Sequence, residues 1–480
     1  LERKEMSRRG QSHRVGTRLR AAQRGQALLT MLCILGLAAA LLVYGSTTEI
    51  SRSVHADERT RDALEEARQA LIGRAVSDAN RPGSLPCPDA DGDGSADLFV
   101  GSSCPAYVGR LPWRSLGVGD LRDESGERLW YALSPSFRDH PSAPAINSDS
   151  RGTLTVYSAD ETAPVTTEAV AVVFAPGAAL NGQVRDGVTQ TCSSNGRIVP
   201  RANCPVNYLD AINKFSNANA SGPFVAPPLQ PGFNDKLAVV TTSAFMPLVE
   251  RRVALEARNA LLDYKRTSAC RCFPWPDETG DGVSDAGVNR GRIPVKTALP
   301  QAWPAGLLPS YFSANDWARV THYVVARSAL EQAGQGCTTC AEANLTIDSL
   351  RGYEVVLLTP GFATGSRQRS SLSDYFADPE NANGNDRFVT PRSPDAERNN
   401  IYGVAGAGVG CAAVARVLID NAPCAEPGGG IRGACQAALA SASGCSCASA
   451  AGALATGACA SAPGSAACAA VIAQLGKCTS

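Results

Sequence analysis

Histidine is scarce in this chain. The 480 residues hold four (His13, His55, His140 and His322), and none of them sits at metal-ligand spacing. Motifs of the common catalytic scaffolds are missing as well: no G-x-S-x-G elbow, no Walker loop and no dinucleotide fingerprint in a strand–helix–strand setting. Isolated serines and aspartates are then better explained as turn residues, and the protein is expected not to be an enzyme. Net charge is absent too, since 45 Lys plus Arg balance 45 Asp plus Glu, which leaves no basic footprint for nucleic acid. Proline does not occur from Leu1 until Pro82, so nothing in that stretch breaks a helix.

The length suggests about three domains. Charge is unevenly spread. Residues 1–25 form a basic leader with Arg3, Lys4, Arg8, Arg9, Arg14, Arg18, Arg20 and Arg24 against Glu2 and Glu5. Ala27–Gly45 then carries no charge, and at about 1.5 Å per residue it crosses a hydrocarbon core of roughly 30 Å. A transmembrane helix is expected over 26–45. With Glu49, Asp57 and Glu58 beyond it, the N-terminus falls in the cytoplasm. The alternative is a cleaved secretory signal, but the run is long for that and no A-x-A-type site ends it. This places the chain in the inner membrane as a single-pass protein with a periplasmic or extracellular body. Of 17 cysteines only Cys33 lies in the apolar run, and abundant cysteine on the oxidising side reads as disulfides.

Helical periodicity continues past the apolar run. Ile50, Val54, Leu64, Ala67, Leu71, Ala75 and Val76 recur mostly every three or four residues, with Glu65, Glu66 and Arg68 between them. One helix from about Gln26 to Ala79 would be roughly 80 Å long. Its outer half is amphipathic and needs a partner layer.

The outward region repeats itself. Ala63–Leu71 is echoed one residue shorter by Ala254–Leu261, Pro88–Asp97 by Pro276–Asp285, and Gly109–Pro112 by Gly291–Pro294. Trp130–Leu133 matches His322–Val325, Val170–Gly177 matches Val355–Gly361, and Asn234-Asp235-Lys236 matches Asn385-Asp386-Arg387. Six landmarks in one order indicate a tandem duplication, with modules at 46–250 and 251–403. Each copy reads as a helix followed by short strands. The strands are Thr153–Tyr157, Ala169–Ala175 and Lys236–Thr241 in the first copy, and Arg319–Ala326 and Tyr353–Leu358 in the second. The helix of copy two is expected over about Phe245–Lys265. The predicted class is α+β, a helix packed on an antiparallel sheet.

Two acidic loops sit at matching places. The first puts Asp89, Asp91, Asp93 and Asp97 at positions one, three, five and nine around Gly94, with the Ser95 carbonyl at seven. Alternating carboxylates turned onto one hard cation suit calcium, bound as a structural ion. Position twelve is Val100, so the bidentate glutamate of an EF-hand is missing. The loop is more similar to the shorter acidic repeats of dockerins and thrombospondin type 3 segments. The second loop offers Asp277, Thr279, Asp281 and Asp285, one carboxylate fewer, and should bind more weakly. A solvated Asp-Gly turn is the alternative for both.

Arg24-Gly25, the run from Gln26, and the amphipathic continuation together resemble the N-terminus of type IV pilins and pseudopilins. The resemblance implies processing between Gly25 and Gln26, and packing of the exposed helix against other such subunits. The fifth residue after that cut is Thr30, where major pilins carry glutamate. Certain minor pilins and the K-type minor pseudopilin of type II secretion also lack it, as suits a subunit with no neighbour above it. The LPCPD-DGDG stretch and the later NDK or NDR stretch resemble large prepilin-like proteins of Gram-negative bacteria. A minor subunit at or near the tip of a pilus or secretion pseudopilus is thereby implied. Its partners would be other pilin-like subunits, the membrane, and a surface or secreted ligand that gives an adhesive role. An anchored calcium-stabilised adhesin and a tethered enzyme are the alternatives.

Cys87 and Cys104 flank the first acidic loop and are expected to close it. Cys192 and Cys204 lie in a polar insertion absent from copy two and are expected to pair. Cys270, Cys272, Cys337 and Cys340 read as two disulfides, with a zinc site as the alternative. Residues 404–480 turn to Ala, Gly, Ser and Cys, with eight cysteines from Cys411 to Cys478. Such a tail lacks the large apolar side chains for a core and needs cross-links, either as an adhesive knob or as a spacer.

Overall fold

In the computed structural model the described residues are 31–33, 35, 55, 57–158, 162–185, 191–194, 197–200, 203–226, 230, 232–268, 272–296, 306–330, 345–348, 350–359, 361–362, 369, 375–376, 378–390 and 400–405. Residues 57–77 form helix α1. Strands β1 (Val108–Arg110), β2 (Trp130–Leu133), β3 (Leu154–Ser158) and β4 (Pro164–Ala175) follow, with the short helix α2 (Trp113–Leu116) between the first two. Two small hairpins come next, β5 (Thr191–Ser194) with β6 (Arg197–Pro200) and β7 (Ala211–Ile212) with β8 (Phe215–Ser216). Strands β9 (Phe224–Ala226) and β10 (Lys236–Thr241) complete the first sheet and run straight into helix α3 (Thr242–Thr267). The second sheet holds β11 (Arg290–Gly291), β12 (His322–Val325), β13 (Leu345–Ile347), β14 (Leu350–Thr359), β15 (Arg387–Phe388) and β16 (Asn400–Ala405).

The two sheets have the same plan. The first runs β1-β2-β4-β3-β9 with β10 also on β4, and the second runs β11-β12-β14-β13-β15 with β16 also on β14. Registers coincide: Leu133 faces Ala171 on β4, and Val325 faces Val355 on β14. Tyr131 donates its hydroxyl to the Pro86 carbonyl at 3.2 Å, and Tyr323 does the same to Pro274 at 3.0 Å.

Two expectations are corrected. The fold is not a helix-led α+β arrangement with purely antiparallel sheets. It is a mixed α and β fold dominated by its sheets, with few helices. Each sheet contains one parallel pair, β3 with β9 and β13 with β15. Parallel neighbours need a crossover, and the chain supplies it by passing through the long central strand before returning to the far edge. The long transmembrane helix is not shown. Among the described residues no helix is long and apolar enough to cross a membrane, so the single-pass inner-membrane placement lacks its anchor. Apart from Met31–Cys33 and Leu35 the apolar run lies outside the described residues, as do Gly25, Gln26, Thr30 and residues 406–480 of the tail, whose first two residues end β16. What is described, α1, alternates a buried stripe with exposed Asp, Glu and Arg, the pattern of a helix lying on a sheet.

Helix α3 extends the expected Phe245–Lys265 at both ends. Its buried stripe (Glu250, Val253, Ala254, Ala257, Leu261) matches that of α1 (Thr60, Ala63, Leu64, Ala67, Leu71) residue for residue. That alignment has no gap, whereas the sequence echo paired Ala63 with Ala254 and skipped one residue. A helix cannot drop a residue without turning every later side chain by about 100° off its face, so burial decides. Arg319 and Val320, expected in a strand, form a 3-10 turn instead.

One core runs through both copies. It takes in Leu71 and Ala75 of α1, Val253 and Leu261 of α3, and the inward residues Tyr131, Val173, Tyr323 and Leu357 of the two sheets. The outer face of the first sheet, with Trp130, Val172 and Phe174, is covered by Tyr208, Leu209 and Phe224. Polar contacts tie the copies further. Arg252 on α3 donates to the Val76 and Asp78 carbonyls at 2.6 and 2.7 Å, satisfying free acceptors at the end of α1. Asp149 of the first copy accepts from Arg369 of the second at 2.7 and 3.1 Å, and from Arg319 at 3.0 Å.

Candidate functional site

The first acidic loop is pinned at its opening residue. Asp89 and Arg110 exchange backbone hydrogen bonds at 3.0 and 2.7 Å, which fastens the loop to β1. Gly109 is required there, because a Cβ would stand 2.8 Å from the Asp89 carbonyl oxygen. The buried Asp89 carboxylate then organises the turn, Oδ1 accepting from the Gly92 amide at 2.6 Å and Oδ2 from Gly94 at 2.7 Å. Both glycines have positive φ, 83° and 90°. Asp91 accepts from the Asp93 amide at 3.1 Å, and Asp93 from the Ser95 amide at 2.6 Å.

Three carboxylates converge. Asp89, Asp91 and Asp97 each place an oxygen within 4.8 Å of the others. Asp93 is not one of this group, and Ser95 engages the loop through its amide. Burial pushes the Asp89 carboxyl up to about 6, opposed by the Gly94 and Gly92 amides and helped by the Asp91 charge. Outside contacts hold the rim: Arg128 donates to the Gly92 carbonyl at 3.0 Å and Asn203 to the Asp91 carbonyl at 2.6 Å. Cys87 and Cys104 are bonded beneath the loop, as expected from their positions.

The second loop copies the turn without the cluster. Asp277 exchanges backbone hydrogen bonds with Arg292 at 2.9 and 2.7 Å, and its carboxylate accepts from Gly280 and Gly282 at 2.6 and 2.8 Å. Gly291 is forced as Gly109 is, a Cβ there falling 2.4 Å from the Asp277 carbonyl oxygen. Asp285, however, turns to cap the Glu278 and Thr279 amides at 2.7 and 3.0 Å, and Asp281 accepts from Val283 at 2.8 Å. Thr279 stands where Asp91 stands in the first copy. The Lys296 ammonium donates to the Asp281 carbonyl, and Arg292 reaches the Gly280 carbonyl at 3.5 Å. Among the described residues the only acidic group of the required kind is the one in loop one.

Cys204 and Cys272 are disulfide-bonded, which takes Cys272 out of the zinc alternative. Cys270, Cys337, Cys340 and the Cys192 side chain lie outside the described residues.

One pair of functional-looking residues was not visible from their neighbours in sequence. Asn217 donates to the Val225 carbonyl at 3.1 Å and accepts from the Val225 amide at 3.0 Å. Asn381 treats Val389 the same way, at 2.9 and 2.8 Å. Each asparagine stands in for a backbone partner along the outer strand of its sheet. The signal was Phe224-Val225-Ala226-Pro227 against Phe388-Val389-Thr390-Pro391. That match, rather than Asn234–Lys236 against Asn385–Arg387, is the structural one, since Asn234–Lys236 opens β10 whereas Asn385–Arg387 opens β15.

Fold and site together define a duplicated helix-and-sheet protein with one acidic, disulfide-closed loop. Comparison with protein-family models, with curated proteins and with solved structures gives no match in any of the three.

Proposed function

We propose that this chain is a non-enzymatic structural subunit of pilin-like type, acting at or near the tip of a type IV pilus or type II secretion pseudopilus. The observation behind this reading is the pair of helix-on-sheet modules with one strand order and one shared core, which suits a rigid headgroup presented to a partner. Other pilin-like subunits and a surface or secreted ligand are its proposed partners. A mature N-terminus at Gln26 that depends on prepilin peptidase, together with loss of piliation or secretion on deletion, is the expected result. A mature protein that keeps Met6, or hydrolytic activity in the purified chain, would contradict it.

The convergence of Asp89, Asp91 and Asp97 favours a second element, a structural calcium ion in loop one. It fits equally an adhesive protein that is not part of a filament, and the processing experiment separates the two. With an affinity in the range of extracellular modules, about 1 mM at the weak end, 10 mM calcium stabilises by about 1.4 kcal/mol. Melting should shift upward with calcium and return with chelator. Asp91→Asn should abolish the shift and Asp281→Asn should leave it intact. An unchanged midpoint in the parent protein removes the ion.

A further inference from the structure

The long segment between β4 and β9, with Gly232 beyond it, lines a cavity of about 430 Å³. Leu180, Val206 and Leu209 contribute apolar lining, and Asp210, Gln183 and Ser216 contribute polar lining. Asp210 is a buried carboxylate with an incomplete set of partners. Its Oδ2 accepts from the Asn234 and Asp235 amides at 2.7 and 3.1 Å, but its Oδ1 accepts only from Gln183 Nε2 at 2.8 Å. One acceptor position on Oδ1 is left.

A second carboxylate stands beside the first. Asp235 lies behind Asp210, with its Oδ2 on the Asp210 amide at 2.8 Å and on Asn217 at 2.9 Å. Its Oδ1 has no partner among the described residues. Burial raises both carboxyls, and the neighbouring Asp210 charge adds to the rise at Asp235. The Arg185 charge lowers both carboxyls from nearby, but its direct contacts go to other groups. It pairs with Glu127 at 3.2 Å and donates to the Gly177 and Asn207 carbonyls at 2.7 and 3.0 Å and to Gln183 Oε1 at 2.7 Å. Among the described residues no Lys or Arg forms an ion pair with Asp210.

We propose that this cavity binds a primary ammonium group on a short aliphatic stem, the nitrogen donating to Asp210 Oδ1 and the stem lying along Leu180, Val206 and Leu209. A charged donor completes the hydrogen bonding of a desolvated carboxylate better than water held in the same place. Leu and Val side chains give the methylene stem its burial. The site is independent of the acidic loop.

The test is titration of the full chain with n-butylamine at neutral pH, with n-butanol as the uncharged analogue. Saturable binding of the amine, about tenfold or more tighter than the alcohol, is expected. Asp210→Asn should erase the difference. Because that carboxylate also holds two backbone amides, Ala211→Trp serves as a second variant: Ala211 is exposed on the cavity rim, and the indole should block binding without touching those bonds. Nα-acetyl-lysine methylamide separates the two sources of such a group. Binding tighter than butylamine assigns the nitrogen to a lysine side chain of a partner protein, and weaker binding assigns it to a free amine. Equal affinity for butylamine and butanol, or undiminished binding by Ala211→Trp, overturns the proposal.

Discussion

Replacing Lys265 by alanine should cost the folded chain about 3 kcal/mol at neutral pH, and adding Glu354→Val should return most of it. Lys265 on α3 pairs with Glu354 on β14, whose carboxylate is only 2% exposed. Helix register sets Lys265 opposite Ala75 of the first copy, and strand register sets Glu354 opposite Val170. Both of those residues are wholly buried and apolar. The first copy therefore shows that the position tolerates apolar residues. Removing the lysine alone strands a carboxylate that cannot reach water, the expensive half of the change. Glu354→Val alone should cost less, about 1 kcal/mol, because the Lys265 side chain is 21% exposed and can turn to solvent. The return is incomplete in the double variant because Lys265 also lies 5.2 Å from the Phe273 ring centre. Urea midpoints at constant slope measure all three. A double variant as unstable as Lys265→Ala would show that the two charges are not coupled.

His322 should make the protein acid-sensitive by about 2 kcal/mol between pH 7 and pH 5. The imidazole is buried on β12 against Tyr375 and Phe376, with ring centres 5.5 and 5.4 Å away. Burial, and then the Arg290 and Arg292 charges, lower its pKa to about 3. An unfolded chain takes up the proton near pH 6.5, before the folded one does. Stability from the neutral ring is therefore complete above that value and falls steadily as pH drops toward 3. Asp89 and Asp235, raised by burial, work in the opposite sense and favour the fold as pH falls. Comparison with His322→Phe isolates the histidine. The variant should lose about 2 kcal/mol less than the parent between pH 7 and pH 5. Phenylalanine is reasonable here because the first copy places buried Trp130 at the same register. Equal losses in the two proteins would mean that the ring does not titrate as described.

Much of the architecture was legible because it rests on local pattern. Lys236–Thr241 was expected as a strand and is one, and α3 lies over the expected helix. The duplication shows in the shared Gly-Asp-Gly spacing and in Gly109 and Gly291, each dictated by one close backbone approach. Cys87 and Cys104 could be paired from the loop that they flank. Less could be said of the cation site. Both loops have the alternation that aims carboxylates inward, but alternation does not report competing donors. Asp285 is claimed by two amides and Lys296 occupies the carbonyl of Asp281, so only loop one gathers its acids.

The amino-acid order by itself determined the repeat, the helical and strand periods, and the glycine-dependent turns. Each depends on neighbours a few residues away and on backbone angles that few residue types accept. Tertiary structure alone decided the parallel outer strands, the gapless match of α1 with α3, the seating of Asp149 between Arg319 and Arg369, and the carboxylate left open at Asp210. Those depend on groups far apart in the chain, whose burial and hydrogen-bond partners exist only once the two copies close on a common core.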